Sequence, residues 1–338
     1  MNEIRETLPK SKVSAEFTPS FGLKNRHLQT ILSSVGPRKR LICKRFKKHN
    51  QQRTEILLDG GDGVRLQGFL NCAPRTNATK LVILIHGWEG SHDSTYMQSM
   101  SKTLLDSGHD VFRLNLRDHG ETHHLNEGMF NSTLVDEVIN AIGDLQSSHS
   151  YSQYHLVGFS LGGNFCVRVA AKASSADISL SRVIAFCPVI HAHWSNEALS
   201  HPKNRLYDYY FVRKWKRSLR KKLEHWPDYD FADELDTLKT LDQMNERLVP
   251  AYTPYSNLSD YFEAYAITGD RLAKTIAPCH LFFAEDDMII PISGVEELSQ
   301  NADVHVTITK HGGHCGYLKN WQWDCWQDEV VLDIIETS

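Results

Sequence analysis

The sequence predicts an α/β fold: an eight-stranded, mostly parallel sheet flanked by helices, with a helical insertion ahead of the last two strands. Three observations carry that prediction. Short apolar runs such as LVILIH (81–86) and YHLVGF (154–159) have the continuous hydrophobicity of strands buried on both faces. Between such runs lie segments with apolar residues at helical spacing, and strand–helix alternation implies parallel pairing through right-handed crossovers. The alternation stops at Pro188 and resumes at Cys279, with aromatic and charged helical pieces in between.

In chain order, residues 1–53 read as an N-terminal arm, basic from Pro37 to Arg53. TEILLD (54–59) and VRLQGFL (64–70) flank the turn GGDG and read as a β-hairpin, which places one antiparallel strand at an edge. LVILIH follows, then a helix beginning after Ser91 or Asp93, then the strand DVFRLNL (110–116). Over 131–146, Leu134, Val135, Val138, Ile139, Ile142 and Leu145 share one helix face, with Asn131 or Ser132 as its cap. YHLVGF is the fifth strand, LGGNFCVRVAAKA (161–173) a helix and RVIAFC (182–187) the sixth strand. After the insertion at about 188–277 come the strand CHLFFAEDD (279–287), a helix over 292–300, the strand DVHVTIT (303–309) and a final helix from Leu318 to about Glu336. Residues 54–338 are thus expected to form one domain interrupted by a cap.

Composition narrows the class of function. The chain has 338 residues, 41% hydrophobic and 23% charged, which is ordinary for a globular protein. A net charge of −4 carries no global basic field of the kind that binds nucleic acid. Seven cysteines, an odd number with no C-x-x-C pair, read as reduced thiols and point to a cytoplasmic location. The opening MNEIRETLPKSK has no apolar core of a signal peptide, and no apolar run is long enough to span a bilayer.

GFSLGG (158–163) follows the fifth strand and opens a helix, the context a nucleophile elbow requires. On so tight a turn, side chains at 158 and 162 would collide, which explains glycine at both. Ser160 then stands at the carboxyl edge of the sheet, and the N–H of Leu161, at a helix N-terminus, can face a developing oxyanion. A second donor is expected from HGWEG (86–90), after the third strand, with the Trp88 N–H favoured. A serine nucleophile needs a base and the base an orienting carboxylate. His314, in KHGGHCGY after the eighth strand, fits the base. AEDDMIIP, after the seventh, offers Asp286 and Asp287; Asp287, four residues before Pro291, is favoured, leaving Asp286 as a surface or capping carboxylate. Ser160, Asp287 and His314 thus fall at carboxyl ends of strands, in the order Ser, Asp, His.

With these motifs in view, the chain resembles the α/β-hydrolase superfamily, and more closely its YheT-like branch. NRHLQT (25–30), HGWEGSHDSTYM (86–97), NLRDHG (115–120), GFSLGGN (158–164) and HGGHCGY (311–317) match that branch, and NRHLQT with HGGHCGY is the more specific pair. The resemblance implies a charge-relay triad of Ser160, Asp287 and His314 and hydrolysis of carboxylic esters, including acylglycerol-type and short-chain acyl esters. One loop departs from the branch: Asp118 and His119 follow Arg117 where a glycine is usual, and THHLNEG (122–128) replaces a glycine-rich stretch, which bears on substrate preference.

The expected function is therefore a serine hydrolase for short- to medium-chain or acylglycerol-type esters, requiring no cofactor and no metal. Thioesterase, amidase or acyltransferase chemistry on the same triad is the alternative, and a binding protein on a hydrolase scaffold stands behind it. The pairs His191/His193 and His123/His124 lack a carboxylate or cysteine partner at ligand spacing and read as loop histidines. Phe211, Trp215, Leu219, Leu223 and Trp226 form an apolar stripe on a basic helix, read as a cap helix packed on the sheet. With the basic arm, that helix leaves weak peripheral membrane contact as a second use. Cys315 reads as a space-filling residue under the last helix, and Trp321, Trp323 and Trp326 as a packing cluster on it.

Overall fold

The hairpin strands β1 (Thr54–Asp59) and β2 (Arg65–Asn71) lead into β3 (Lys80–Ile85), β4 (Asp110–Leu114), β5 (Gln153–Phe159), β6 (Arg182–Phe186), β7 (Cys279–Ala284) and β8 (Val304–Thr309). This is a computed structural model, and it describes residues 17–74 and 78–337. All eight strands join one sheet in the order β1-β2-β4-β3-β5-β6-β7-β8. Pairing is antiparallel between β1 and β2 and between β2 and β4, and parallel from β4 through to β8. The antiparallel strand is thus β2, one in from the edge, rather than the edge strand itself. Burial follows the sequence pattern: Leu81 to Ile85 of β3 are all fully buried, as a strand covered on both faces demands.

Ten α-helices accompany the sheet among the described residues: α1 (Arg26–Ser34), α2 (Pro37–Gln51), α3 (Thr95–Asp106), α4 (Val135–Ser148), α5 (Leu161–Lys172), α6 (Ala192–Ser200), α7 (Arg205–His225), α8 (Leu241–Tyr252), α9 (Leu258–Ala264) and α10 (Trp326–Glu336). α2 and α10 both pack on α3, and α4 packs with α5, giving two helical layers beside the sheet. α6 to α9 all fall between β6 and β7 and pack mainly among themselves. No helix among the described residues is long and apolar enough to cross a membrane.

Several boundaries differ from the sequence reading, each for a local reason. The last helix starts at Trp326, because Leu318 and Cys325 pair as an isolated bridge and Lys319 N–H donates to Asp324 O, closing a loop over 318–325. Trp321 and Trp323 therefore sit on that loop, where the Trp321 indole donates to Phe21 O. α4 begins at Val135, because the Asn131 carboxamide takes the Thr133 N–H and hydroxyl in a turn before the helix. Residues 292–297 form a 3₁₀ turn rather than an α-helix. Within residues 1–53, the described part beyond the opening loop is mostly helical: Ile42 and Phe46 of α2 are buried, and Arg38 is held by Ser33 O, Ser99 and Trp323 O.

Candidate active site

Ser160 occupies the sharp turn between β5 and α5, with φ 53° and ψ −120°. That region is costly for a residue with a side chain, so the surroundings must impose it. Ser160 N–H donates to Phe186 O of β6 at 2.8 Å, and Ser160 O accepts from Asn164 N–H at 3.0 Å. The flanking glycines are needed for different reasons. A Cβ at Gly158 would come within 2.3 Å of Gly162 O, inside the turn itself. A Cβ at Gly162 would come within 2.3 Å of His86 O and 2.4 Å of Ile85 O, so the obstacle there is the end of β3.

Ser160 Oγ lies 2.8 Å from His314 Nε2, and His314 Nδ1 lies 2.8 Å from Asp287 Oδ2. The second Asp287 oxygen accepts from the Ile289 and Ile290 amides, which fixes the carboxylate against the ring. Asp286 points elsewhere: its Oδ1 accepts from Gly313 N–H at 2.8 Å and its other oxygen is 3.8 Å from His311 Nδ1. Burial opposes a charge on the His314 ring. The Asp287 charge, the Cys315 thiol and the hydrogen bond to Asp287 outweigh it and raise the ring to about 9.

The Trp88 and Leu161 amides make no backbone hydrogen bond among the described residues, Leu161 opening α5 directly after Ser160 and Trp88 lying on the loop after β3. The loop that carries Trp88 is held from below. The Tyr96 hydroxyl accepts from Gly87 N–H at 3.0 Å. His86 donates from Nδ1 to Gly87 O and accepts at Nε2 from Leu116 N–H. Complete burial pushes His86 far below its ordinary range, which keeps it neutral and suited to that pair of bonds. Over the loop, the Trp88 ring stacks on Phe211 of α7 and meets Trp215 edge-on, and the Lys214 ammonium donates to Glu89 O. Glu89 is pushed up to about 7 by burial, against the pull of Lys214.

Two contributors, Gln29 and Thr30, escaped the sequence reading. The NRHLQT segment forms α1, with Asn25 capping its first turn, and packs directly on the histidine loop. Fully buried Gln29 donates to Leu23 O and Leu318 O and accepts from Leu318 N–H. Thr30 Oγ1 accepts from the His314 N–H at 2.9 Å. Side chains at Gly313 and Gly316 would strike the backbone of Arg26 and Gln29. The two segments that look most distinctive in the sequence are therefore one structural unit, and only a long-range contact links them. Outside the relay and the cavity lining, Cys187, N-terminal to the insertion, meets Cys315: the Cys315 N–H points at Cys187 Sγ at 3.4 Å, and Cys315 Sγ lies 3.4 Å from Phe186 O.

Ser160, His314, Trp88, Tyr96 and Cys315 line a cavity of about 810 Å³. α7 roofs it, contributing Leu206, Tyr207, Tyr210, Phe211 and Trp215, and the loop 117–130 closes one end. That loop fastens the roof. Lys222, almost fully buried, donates to Asp118 Oδ1 at 2.9 Å and to Asn126 O; Ser218 Oγ donates to Asp118 O; the Trp226 indole donates to His123 O. Asp118, at φ 57°, is thus an anchor for the roof.

The other histidines are dispersed. His191 Nε2 meets Glu263, His193 meets Glu197, His123 Nε2 meets Ser218 Oγ and His124 lies beside His225. Among the described residues, Cys187, His314 and Cys315 are the only group close enough to hold a metal, and both His314 nitrogens already face Ser160 and Asp287.

A sheet of this order, with a serine on a strained turn after β5 and a histidine loop after β8, is the frame of an α/β hydrolase. The sequence profile of the alpha/beta hydrolase fold matches residues 80–320, and the chain belongs to that family. YheT of Escherichia coli (strain K12), named a candidate esterase, is 25% identical over 316 residues, covering 90% of this chain and 88% of YheT. The phospholipase ABHD3 of Mus musculus is 22% identical over 287 residues, covering 83% of this chain and 68% of its own. These relatives bear out the resemblance to the YheT-like branch. The Pyrococcus furiosus esterase Pf2001 shares the fold with a TM-score of 0.57 at 14% identity, covering 86% of this chain and 92% of that one.

Proposed function

We propose that the protein hydrolyses carboxylic esters through an acyl-enzyme on Ser160, with His314 as general base and acid and Asp287 as its orienting carboxylate. The observation that carries this reading is the continuous Ser160–His314–Asp287 relay, two hydrogen bonds of 2.8 Å each. His314 Nε2 takes the Ser160 proton as Oγ attacks the ester carbonyl. The oxyanion that develops is met by the Trp88 and Leu161 amides. His314 then protonates the leaving alcohol, and water repeats the cycle on the acyl-enzyme, with Asp287 holding the Nδ1–H tautomer and stabilising the imidazolium.

Residues 188–277 act as the cap in this proposal, and the aromatic face of α7 receives the acyl chain of a short- to medium-chain or acylglycerol-type ester. Relatives named as esterase and phospholipase support the ester class. The absence of paired cysteine spacing supports a reducing, cytoplasmic setting. Arg38 of α2 and Lys222 of α7 are spent on internal partners, while Lys39, Arg40, Lys44, Arg45, Lys47 and Lys48 of α2 stay exposed and leave weak peripheral lipid contact as a second use.

The test is a series of p-nitrophenyl esters of rising chain length, run beside Ser160→Ala and a fluorophosphonate probe. Hydrolysis and labelling by the parent protein, both lost in the variant, are expected. Equal rates for the two proteins would sink the serine mechanism.

A further inference from the structure

Cys315 follows His314 directly in the chain and lines the same cavity. Its neighbour is Cys187, which is 128 residues away in sequence and fully buried at the end of β6. The sulfur atoms of the two residues and a ring nitrogen of His314 all lie within 4.8 Å of one another. The backbone holds the pair in place: both residues have positive φ, 46° at Cys187 and 53° at Cys315, and the Cys315 N–H points at Cys187 Sγ. Neither thiol is needed for the proposed ester chemistry, and the other five cysteines stand apart from the cavity.

We propose that Cys187 and Cys315 form a reversible disulfide, driven by a hydroperoxide that enters through the cavity, and that this bond unseats His314. The Cys315 thiol gives up its proton and the thiolate attacks one peroxide oxygen; the O–O bond breaks and the other oxygen leaves as hydroxide (or the alkoxide of an organic peroxide), which takes up that released proton to become water (or alcohol). Cys187 sulfur then attacks the resulting sulfenic acid, its proton passing to the departing hydroxide, so a second water forms with the S–S bond. Two thiols lose two electrons and the peroxide gains them. Cys315 is the favoured attacker because it faces the cavity and Cys187 is sealed off. The charges support the same order: although burial works against it, the bond with Cys187 and the adjacent His314 hold Cys315 below the usual thiol range, whereas burial drives Cys187 well above it.

A disulfide requires a separation of about 2.05 Å between the sulfurs, so non-bonded neighbours must close by an ångström or more. His314 shares a peptide bond with one of them, and its two hydrogen bonds tolerate displacements of only about 0.5 Å. A misplacement of about 1 Å at a base costs roughly 100-fold in rate. The consequence for turnover rests on the ester-hydrolase reading; formation of the bond and movement of the ring do not.

The experiment uses the full chain carrying Cys43→Ser and Cys72→Ser, which removes the two exposed thiols. It is treated with hydrogen peroxide and then with dithiothreitol. Expected are a peptide joining residues 187 and 315, loss of the downfield imidazole proton between His314 and Asp287 in the NMR spectrum, and a fall of about 100-fold in ester hydrolysis, all reversed by the reductant. Cys187→Ala, and separately Cys187→Ser should the first variant fold poorly, are expected to keep their activity and the imidazole signal through the same treatment. A parent protein that forms no 187–315 peptide overturns the proposal. So does a cross-link that leaves the imidazole signal in place, or equal loss of the signal in the Cys187 variants. If the untreated parent hydrolyses no ester, the ester reading fails alone, and the peptide and the NMR signal still decide the disulfide.

Discussion

The strand ends and the insertion hold their residues by opposite means. At the ends of β5 and β7 the backbone does most of the work: a strained φ at Ser160, glycines whose Cβ would strike main chain, and amides that pin Asp287, while after β8 the Thr30 hydroxyl takes the His314 N–H. In the insertion, side chains do it: Lys222, Ser218 and Trp226 of the α7 region reach across to one loop, 117–130. The first arrangement fixes atoms to a fraction of an ångström and suits bond-making. The second can be altered one side chain at a time and suits a surface that selects substrate. Mutations should therefore separate cleanly into losses of turnover at the strand ends and losses of stability or selectivity at the roof.

The largest effect belongs to Ser160→Ala, expected to lower kcat about 10⁴- to 10⁶-fold with the melting temperature little changed. Asp287→Asn follows, with about 10⁴-fold in kcat, since an amide leaves His314 in the wrong tautomer. Its neighbour sharpens the point. Asp286→Asn should cost far less, because Asp286 meets Gly313 N–H, a bond a carboxamide oxygen still accepts. Steady-state kinetics on one ester compares all three, and equal losses in the two aspartate variants would overturn the assignment.

Much of the strand-end region was legible in the sequence, because its logic is local. GFSLGG, HGWEG and EDD each sit at the end of an apolar run, and a strand end is readable from composition within a few residues. The choice between Asp286 and Asp287 turns on a single residue of register; in the structure Asp287 Oδ2 lies against His314 Nδ1, while Asp286 Oδ1 takes the Gly313 N–H. What stayed hidden was carried by long-range contact. Nothing in NRHLQT says that Gln29 binds the backbone 289 residues later, and nothing in FCPV says that Cys187 lies against Cys315. The unusual loop at Asp118 could be noticed as a departure but not explained, since its partner Lys222 was one basic residue among many on α7.

Lys222 is accordingly the way to break the roof without touching the relay. Burial raises the Asp118 carboxyl and lowers the Lys222 ammonium, so each partner depends on the other to stay charged. Lys222→Met leaves a buried carboxylate without its cation and should cost about 3–5 kcal/mol of stability. Adding Asp118→Asn should restore a good part of it, as replacing both members of a buried pair usually does. Thermal unfolding reads the cost, and limited proteolysis within 188–277 shows whether the roof is where it falls. A Lys222→Met protein as stable as the parent would remove the anchor argument.

The smallest effect is a slope with pH, and it distinguishes the two regions once more. His314 is raised to about 9 from an ordinary 6.5, and it must be neutral to act as base. Below about 9, kcat/KM should climb roughly tenfold per pH unit and then level off. Stability runs the other way. A group whose folded pKa is raised contributes stability that is complete below the unfolded value and lost as pH rises through the folded one. The imidazolium–Asp287 pair therefore stabilises fully below about 6.5 and fades between there and about 9, so the melting temperature should fall across the window in which activity rises. Asp287→Asn, which removes the main stabilising charge, should flatten the fall and move the activity limb to lower pH. Lys222→Met should lower the melting curve while leaving the position of the activity limb unchanged, because none of the groups that raise His314 belong to the roof.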